Sequence, residues 1–142
     1  MDTLFDIFET AAHNPLLQLV AIAVVFDTIF GVIRAIRDHK FNSCVGIDGA
    51  IRKIGMIISL ALLVLVDAVI KVNLIGFVPE AVRGQLGVEA IGLAEFFSLL
   101  YIAYEIISIL KNMALCGLPV KGIWTRVKGF LSKYTTELPD DE

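Results

Sequence analysis

Cysteine, proline and charge are all scarce: the 142 residues include 2 Cys, 4 Pro and 19% charged side chains. Two cysteines cannot make a disulfide scaffold, and Cys44 and Cys116 show neither a CxxC pair nor metal-ligand spacing. Basic residues do not outnumber acidic ones, at 12 against 15 with a net charge of −3, so nothing favours nucleic acid. There is no phosphate-binding glycine loop, no nucleophile elbow and no His-Glu-x-x-His helix. His13 and His39 fall in segments flanking the apolar runs, where neither reads as a base or a ligand. No enzyme activity, cofactor or metal is therefore expected. The acidic opening, Met1 to Glu9, is unlike the basic start of a secretory leader, so none is expected. No internal repeat is visible.

What the chain has instead is apolar length. It is 57% hydrophobic with a mean hydropathy of +0.80. Clean runs from Pro15 to Ile33, Ile54 to Ile70 and Ile91 to Leu110 approach the roughly 20 residues that cross a bilayer. The reading is an all-α integral membrane protein with three transmembrane helices, over about 15–36, 53–78 and 90–112, in one domain spanning 1–136. Asn14 is placed to cap the first helix and Pro15 fits its first position. Gly46 and Gly49 around Asp48 predict a turn, with Asp48 able to cap the second helix. Gly76, Pro79, Gly84 and Gly87 mark the second connection as a loop.

Lys and Arg set the expected orientation. Arg34, Arg37, Lys40, Arg52 and Lys53 surround the first connection, and Lys111, Lys121, Arg126, Lys128 and Lys133 follow the third span. Only Lys71 and Arg83 lie in the second connection, and none precedes the first span. The N-terminus is then outside and the C-terminus cytoplasmic, with both thiols on the reducing side and no disulfide.

Four acids stand inside or at the margins of these runs: Asp27, Asp67, Glu95 and Glu105. A carboxylate at the centre of a span opposes insertion by roughly 2.5–3.5 kcal/mol, while a central Leu or Ile returns only about 0.3–0.6 kcal/mol. Each acid must be sheltered by another helix, by protonation or by water. In the third span Glu95, Ser98, Tyr101, Glu105, Ser108 and Asn112 recur every three or four residues, which puts them on one face. That polar stripe faces a lumen or an oligomer partner on one reading, and glues neighbouring helices on the other. Asp67 can neutralise Lys71 one turn on, and Asp27 can pair with Arg34. Gly55 and Ser59 form a small-xxx-small pair suited to close helix approach.

A fourth, cytoplasmic helix is expected over about 119–135. Ile123, Trp124, Val127, Phe130, Leu131 and Tyr134 recur at helical spacing, with Lys121, Arg126, Lys128 and Lys133 largely elsewhere. It lies on an anionic leaflet, with Trp124 and those cations at the membrane surface, or packs on the end of the bundle. Leu4, Phe5, Phe8 and Ala12 make a weaker amphipathic segment, and 137–142 reads as an acidic disordered tail.

Certain strings are also familiar. Phe26-Asp-Thr-Ile-Phe-Gly31 is followed by Lys40-Phe-Asn-Ser-Cys-Val-Gly-Ile-Asp-Gly-Ala-Ile-Arg-Lys53, then Glu95-Phe-Phe-Ser98, Tyr104-Glu-Ile-Ile-Ser-Ile-Leu-Lys-Asn112 and Cys116-Gly-Leu-Pro-Val120. In that order they resemble the toxin-secretion and phage-lysis holin family, most of all its members from large clostridial toxin loci, over roughly residues 15–130. The resemblance implies a homo-oligomer in the bacterial cytoplasmic membrane that opens lesions for endolysin or for a large signal-less toxin, with no stable binding of that cargo. It carries over Asp27, Gly31, Gly46, Asp48, Gly49, Lys53, Glu105, Ser108, Asn112, Gly117 and Pro119 as positions of structure and gating. Lys111 and Lys121 depart from the acid and the proline that many phage members hold there. A small channel or transporter subunit, or a membrane scaffold with packing or ion-binding acids, is the other class that fits the residues.

Overall fold

The computed structural model describes residues 3–39 and 43–134, apart from the side chains at 43–45 and 86. The Cys44 thiol and the acidic tail 137–142 lie outside that description, and with them the expectation of no disulfide; Cys116 is a free thiol. The order is α1 (Leu4–Ala12), α2 (Pro15–Arg37), α3 (Ser43–Ile70), α4 (Glu80–Leu86), α5 (Leu93–Leu115) and α6 (Lys121–Leu131), with no strand among the described residues.

Three of these, α2, α3 and α5, are long and apolar enough to cross a membrane. A helix of 23 residues, the length of α2 and of α5, measures about 34 Å. The two run parallel, since Asn14 bonds Glu95 at one end and Arg37 bonds the Leu115 carbonyl at the other. α3 runs against them and brings its last turns to the first turn of α5. α5 is central and packs on both of the others, most extensively on α2. The core is small: Val20, Leu60 and Ile102 meet, flanked by Leu16, Val24, Leu63, Phe97 and Tyr101. Leu19, Ile22, Ile29, Ile51, Ile58, Leu62, Leu99 and Ile106 stay exposed, a surface suited to lipid and not to water.

Asn14 caps α2 as expected, its Oδ1 accepting from the backbone N–H of Leu16 at 2.9 Å and of Leu17 at 3.4 Å. The second span differs at both ends from the expected 53–78. Gly46, Asp48 and Gly49 lie inside α3, so they form no turn and Asp48 is no cap. Helical hydrogen bonding simply continues through them, and the resulting first turns present Asp48 and Arg52 outward. At the other end α3 stops at Ile70, because Lys71 adopts φ 51 and leaves the helix. Asn73 then organises the connection, its Oδ1 accepting from Ile75 N–H at 3.1 Å and Ile91 N–H at 3.3 Å. α5 and α6 likewise cover 93–115 and 121–131, not 90–112 and 119–135. α1 carries a capping box in which Thr3 and Asp6 exchange backbone-to-side-chain bonds.

The Cys116-Gly-Leu-Pro string has a conformational cause. Gly117 N–H reaches the Ala114 carbonyl at 3.1 Å and Leu118 N–H the Met113 carbonyl at 3.1 Å, the paired bonds of a Schellman cap. The cap requires the left-handed φ of 82 at Gly117, and Pro119 follows where no helix can continue. A Cβ at Gly117 would also stand 2.7 Å from Arg37 Nη1. Gly117→Ala is expected to destabilise the purified protein by about 1–2 kcal/mol from backbone strain, lowering its melting temperature in detergent. Gly129→Ala, where an added Cβ meets nothing within 4 Å, should leave that temperature unchanged or raise it.

Candidate functional site

The four acids separate into two pairs with different work. Asp67 and Glu95 sit together at the Asn14 end of the bundle. Asp67 reaches from α3 to the first turn of α5, where Oδ1 accepts from Leu93 N–H at 2.9 Å and Oδ2 from Ala94 N–H at 2.7 Å. Glu95 Oε2 accepts from Gly92 N–H at 2.8 Å, and its Oε1 accepts from Asn14 Nδ2 at 2.8 Å. Both carboxylates therefore satisfy the N–H groups left open at a helix N-terminus, where the helix dipole also favours negative charge. Asp67 is committed to this cap and not to Lys71. Gly92 accommodates the arrangement, since a Cβ there would lie 2.7 Å from both Asp67 Oδ2 and Glu95 Oε2. A surface cleft of about 500 Å³ opens beside these groups, lined among others by Asp6, Asn14, Asp67 and Glu95.

Asp27 and Glu105 make the other pair, each one residue past the midpoint of its 23-residue helix. Asp27 is 8% exposed and Glu105 is 1% exposed, the largest fully buried side chain described. Between them stands Lys53 from α3. Its ammonium donates to Asp27 Oδ2 at 2.7 Å, to Glu105 Oε2 at 3.5 Å and to the Val24 carbonyl at 3.2 Å. Asn112 Nδ2 donates to the second Asp27 oxygen at 2.9 Å. All three spans thus meet in one ionic layer of two carboxylates and one ammonium. No buried side-chain nitrogen or oxygen among the described residues lacks a partner. Asp27 does not rely on Arg34, whose guanidinium lies 3.7 Å from Asp38.

The α5 stripe faces inward over its length. Ser98 is fully buried and donates to the Ala94 carbonyl at 2.7 Å. Tyr101 meets Ser59 of α3 at 2.7 Å; because the Ser59 hydroxyl donates to the Met56 carbonyl at 2.8 Å, Tyr101 supplies the proton of that contact. Asn112 is 9% exposed, and Ser108 is half-buried. Ser59 is thus engaged, but Gly55 is exposed with nothing within 4 Å of an added Cβ, so among the described residues no neighbouring helix closes on Gly55. Nor does Gly31 mark a close approach, since its Cβ would meet Asn112 Nδ2 at an ordinary 3.8 Å. Gly46 and Pro119 are exposed, Gly49 is half-buried, and none of them touches the ionic layer.

Lys53 is the residue that charge patterning misses. Counted among the loop cations, it lies instead on the face of α3 that continues through Met56 and Leu60, both buried. That spacing of three and four was the available signal. In α6 Trp124 is 6% exposed on a helix that packs against α5, as the second of the two expectations for this segment has it. Lys121, Arg126 and Lys133 are exposed and Lys128 is half-buried.

Three apolar spans joined by a buried ionic layer define a multi-pass membrane protein, and comparison with known families agrees. Residues 7–131 match the model of the bacteriophage holin family, and the chain belongs to that family. The match ends on the last residue of α6. The chain is also 43% identical over 123 residues to the holin-like protein TcdE of Clostridioides difficile, an alignment covering 86% of this chain and 74% of that one. No solved structure matches.

Removing one partner of a buried ion pair costs about 3–5 kcal/mol, because the other charge is left without compensation. Lys53→Met should therefore lose several kcal/mol of stability against denaturant in micelles, followed by helical circular dichroism. Adding Asp27→Asn and Glu105→Gln to that variant should recover most of the loss. Unaltered stability of Lys53→Met would mean that the layer contributes nothing.

Proposed function

We propose that the chain accumulates in the bacterial cytoplasmic membrane, self-associates there and opens lesions through which folded protein leaves, a large signal-less toxin or an endolysin being the cargo. The holin family supports the class. The observation that carries the mechanism is the inward course of the α5 stripe. In a single copy Glu105, Ser98 and Asn112 are consumed by intrachain contacts, and the outer face of the spans is apolar. One copy therefore offers a closed bundle to the bilayer. A wet path requires α5 to part from a neighbour, so that water or another copy replaces Lys53 and Asn112 around the two carboxylates. α3 offers the most room for such a copy: of its most apolar window 6% is buried, against 17% for α2 and 22% for α5.

The orientation proposed is N-terminus outside. Lys53 no longer counts among the flanking charges, but Arg34, Arg37, Lys40 and Arg52 still outnumber Lys71 and Arg83. An impermeant thiol reagent on intact cells should label Lys71→Cys in a cysteine-free background.

The test of function is induced expression in a bacterial host with a folded cytoplasmic reporter enzyme. Delayed, abrupt appearance of active reporter in the medium is expected, coincident with loss of membrane potential. Loss of potential without reporter would identify an ion-sized pore. Glu105→Leu is expected to insert and self-associate yet release no reporter, and release on the wild-type schedule would remove the stripe from the path.

A further inference from the structure

α6 has two apolar faces, and the bundle covers only one. Trp124, Val127 and Leu131 share the covered face, where Trp124 is buried and the other two are half-buried. About a quarter turn round the helix lie Ile123, Phe130 and, just past the last turn, Tyr134, exposed by 57%, 62% and 75%. The Phe130 and Tyr134 rings meet at a tilt of 51° with centroids 5.2 Å apart, forming one continuous apolar surface. Arg126 and Lys133 border it on the side away from the bundle. Between Lys121 and Tyr134 the chain carries four basic residues and no acidic one. Beside Arg126 is a surface cleft of about 280 Å³ lined by Pro119, Gly122, Ile123 and Arg126, which sets a guanidinium against an apolar floor.

We propose that this uncovered face is a docking surface for anionic lipid. Ile123, Phe130 and Tyr134 enter the boundary between headgroups and acyl chains, and Arg126 with Lys133 engages headgroup phosphate. Two observations select lipid over other occupants. The first is continuity: five residues separate α5 from α6, so α6 follows directly where the third span ends, at the end of the bundle where α2 also finishes with Ile33 and Ile36 exposed. The second is charge. A second copy inserted in the same direction would bring its own α6 to this level, cations against cations. The inference rests on the chain spanning a membrane and not on lesion formation, so the two can fail separately.

Trp124 is the one tryptophan in the chain, which makes the test direct. The full chain is reconstituted in phosphatidylcholine vesicles with and without phosphatidylglycerol, and quenched by aqueous acrylamide or by acyl-chain-brominated lipid. In W124F/F130W the indole should be severalfold less sensitive to acrylamide, and more sensitive to bromine, when phosphatidylglycerol is present. Wild-type Trp124 should resist acrylamide equally in both vesicles. F130W with Trp124 retained, read as the difference from wild type, should show the same shift and so exclude an effect of replacing Trp124. R126E/K133E in the W124F/F130W chain should abolish the phosphatidylglycerol dependence. Equal acrylamide quenching of residue 130 in both vesicles would overturn the proposal. So would shielding that follows protein density at fixed lipid composition, which would assign the face to a second copy.

Discussion

An ammonium held between two mid-span carboxylates is the contact on which the arrangement of the spans depends. Asp27 and Glu105 occupy equivalent positions on parallel helices, and the cation that serves both comes from the antiparallel one. Lys53 fixes the register of α3 in doing so. Seven residues further along, Leu60 reaches Val20 and Ile102, and after seven more Asp67 reaches the open N–H groups of α5. A slip of one turn, about 5.4 Å, would strip the carboxylates of their cation and the first turn of α5 of its cap together. Apolar packing alone would tolerate such a slip far better, because the hydrophobic effect supplies no association force between helices in lipid.

The same contact makes the bundle convertible. Leucine against leucine gains little when water enters, but two carboxylates sharing one ammonium gain solvation when they become wet. On the proposed function, the layer is stable while α5 keeps both neighbours and would become a hydrophilic lining once it lost one. Asp67 and Glu95 are given no part in that proposed conversion. Their oxygens are held by backbone amides at the Asn14 end, and they anchor the helix ends while the middle changes.

Much of this was legible in the residues. Three apolar runs gave the spans, Asn14-Pro15 gave the start of the first, and the spacing of the α5 stripe gave its single face. Composition could not separate the acids, because a cap donated across helices looks in sequence like any acid at the edge of an apolar run. Lys53 was obscured by its neighbours. Gly46, Asp48 and Gly49 carry the chemistry of a turn and Arg52 the charge of a loop, yet they lie on helix because α3 runs on past the apolar stretch that defines the span. The period of α6 was correct, but an amphipathic wheel says which residues are apolar and not which of them a neighbouring helix end will cover. Trp124 faces the bundle because five residues after α5 leave α6 within reach of it.

Assembly and opening are separable steps in a molecule built this way. The surface a second copy first meets is apolar and lies chiefly on α3, where Gly55 leaves the backbone uncovered. Contact there requires no change inside either bundle and cannot by itself admit water. Opening requires the ionic layer to exchange partners, at a cost that a lone bundle in lipid has nothing to offset. Only where many copies lie together can the carboxylates released in one bundle share water with those of the next. On the proposed function the barrier to the first lesion would therefore fall as copies accumulate, and a polar layer hidden in each monomer is compatible with a membrane that stays sealed until it fails abruptly.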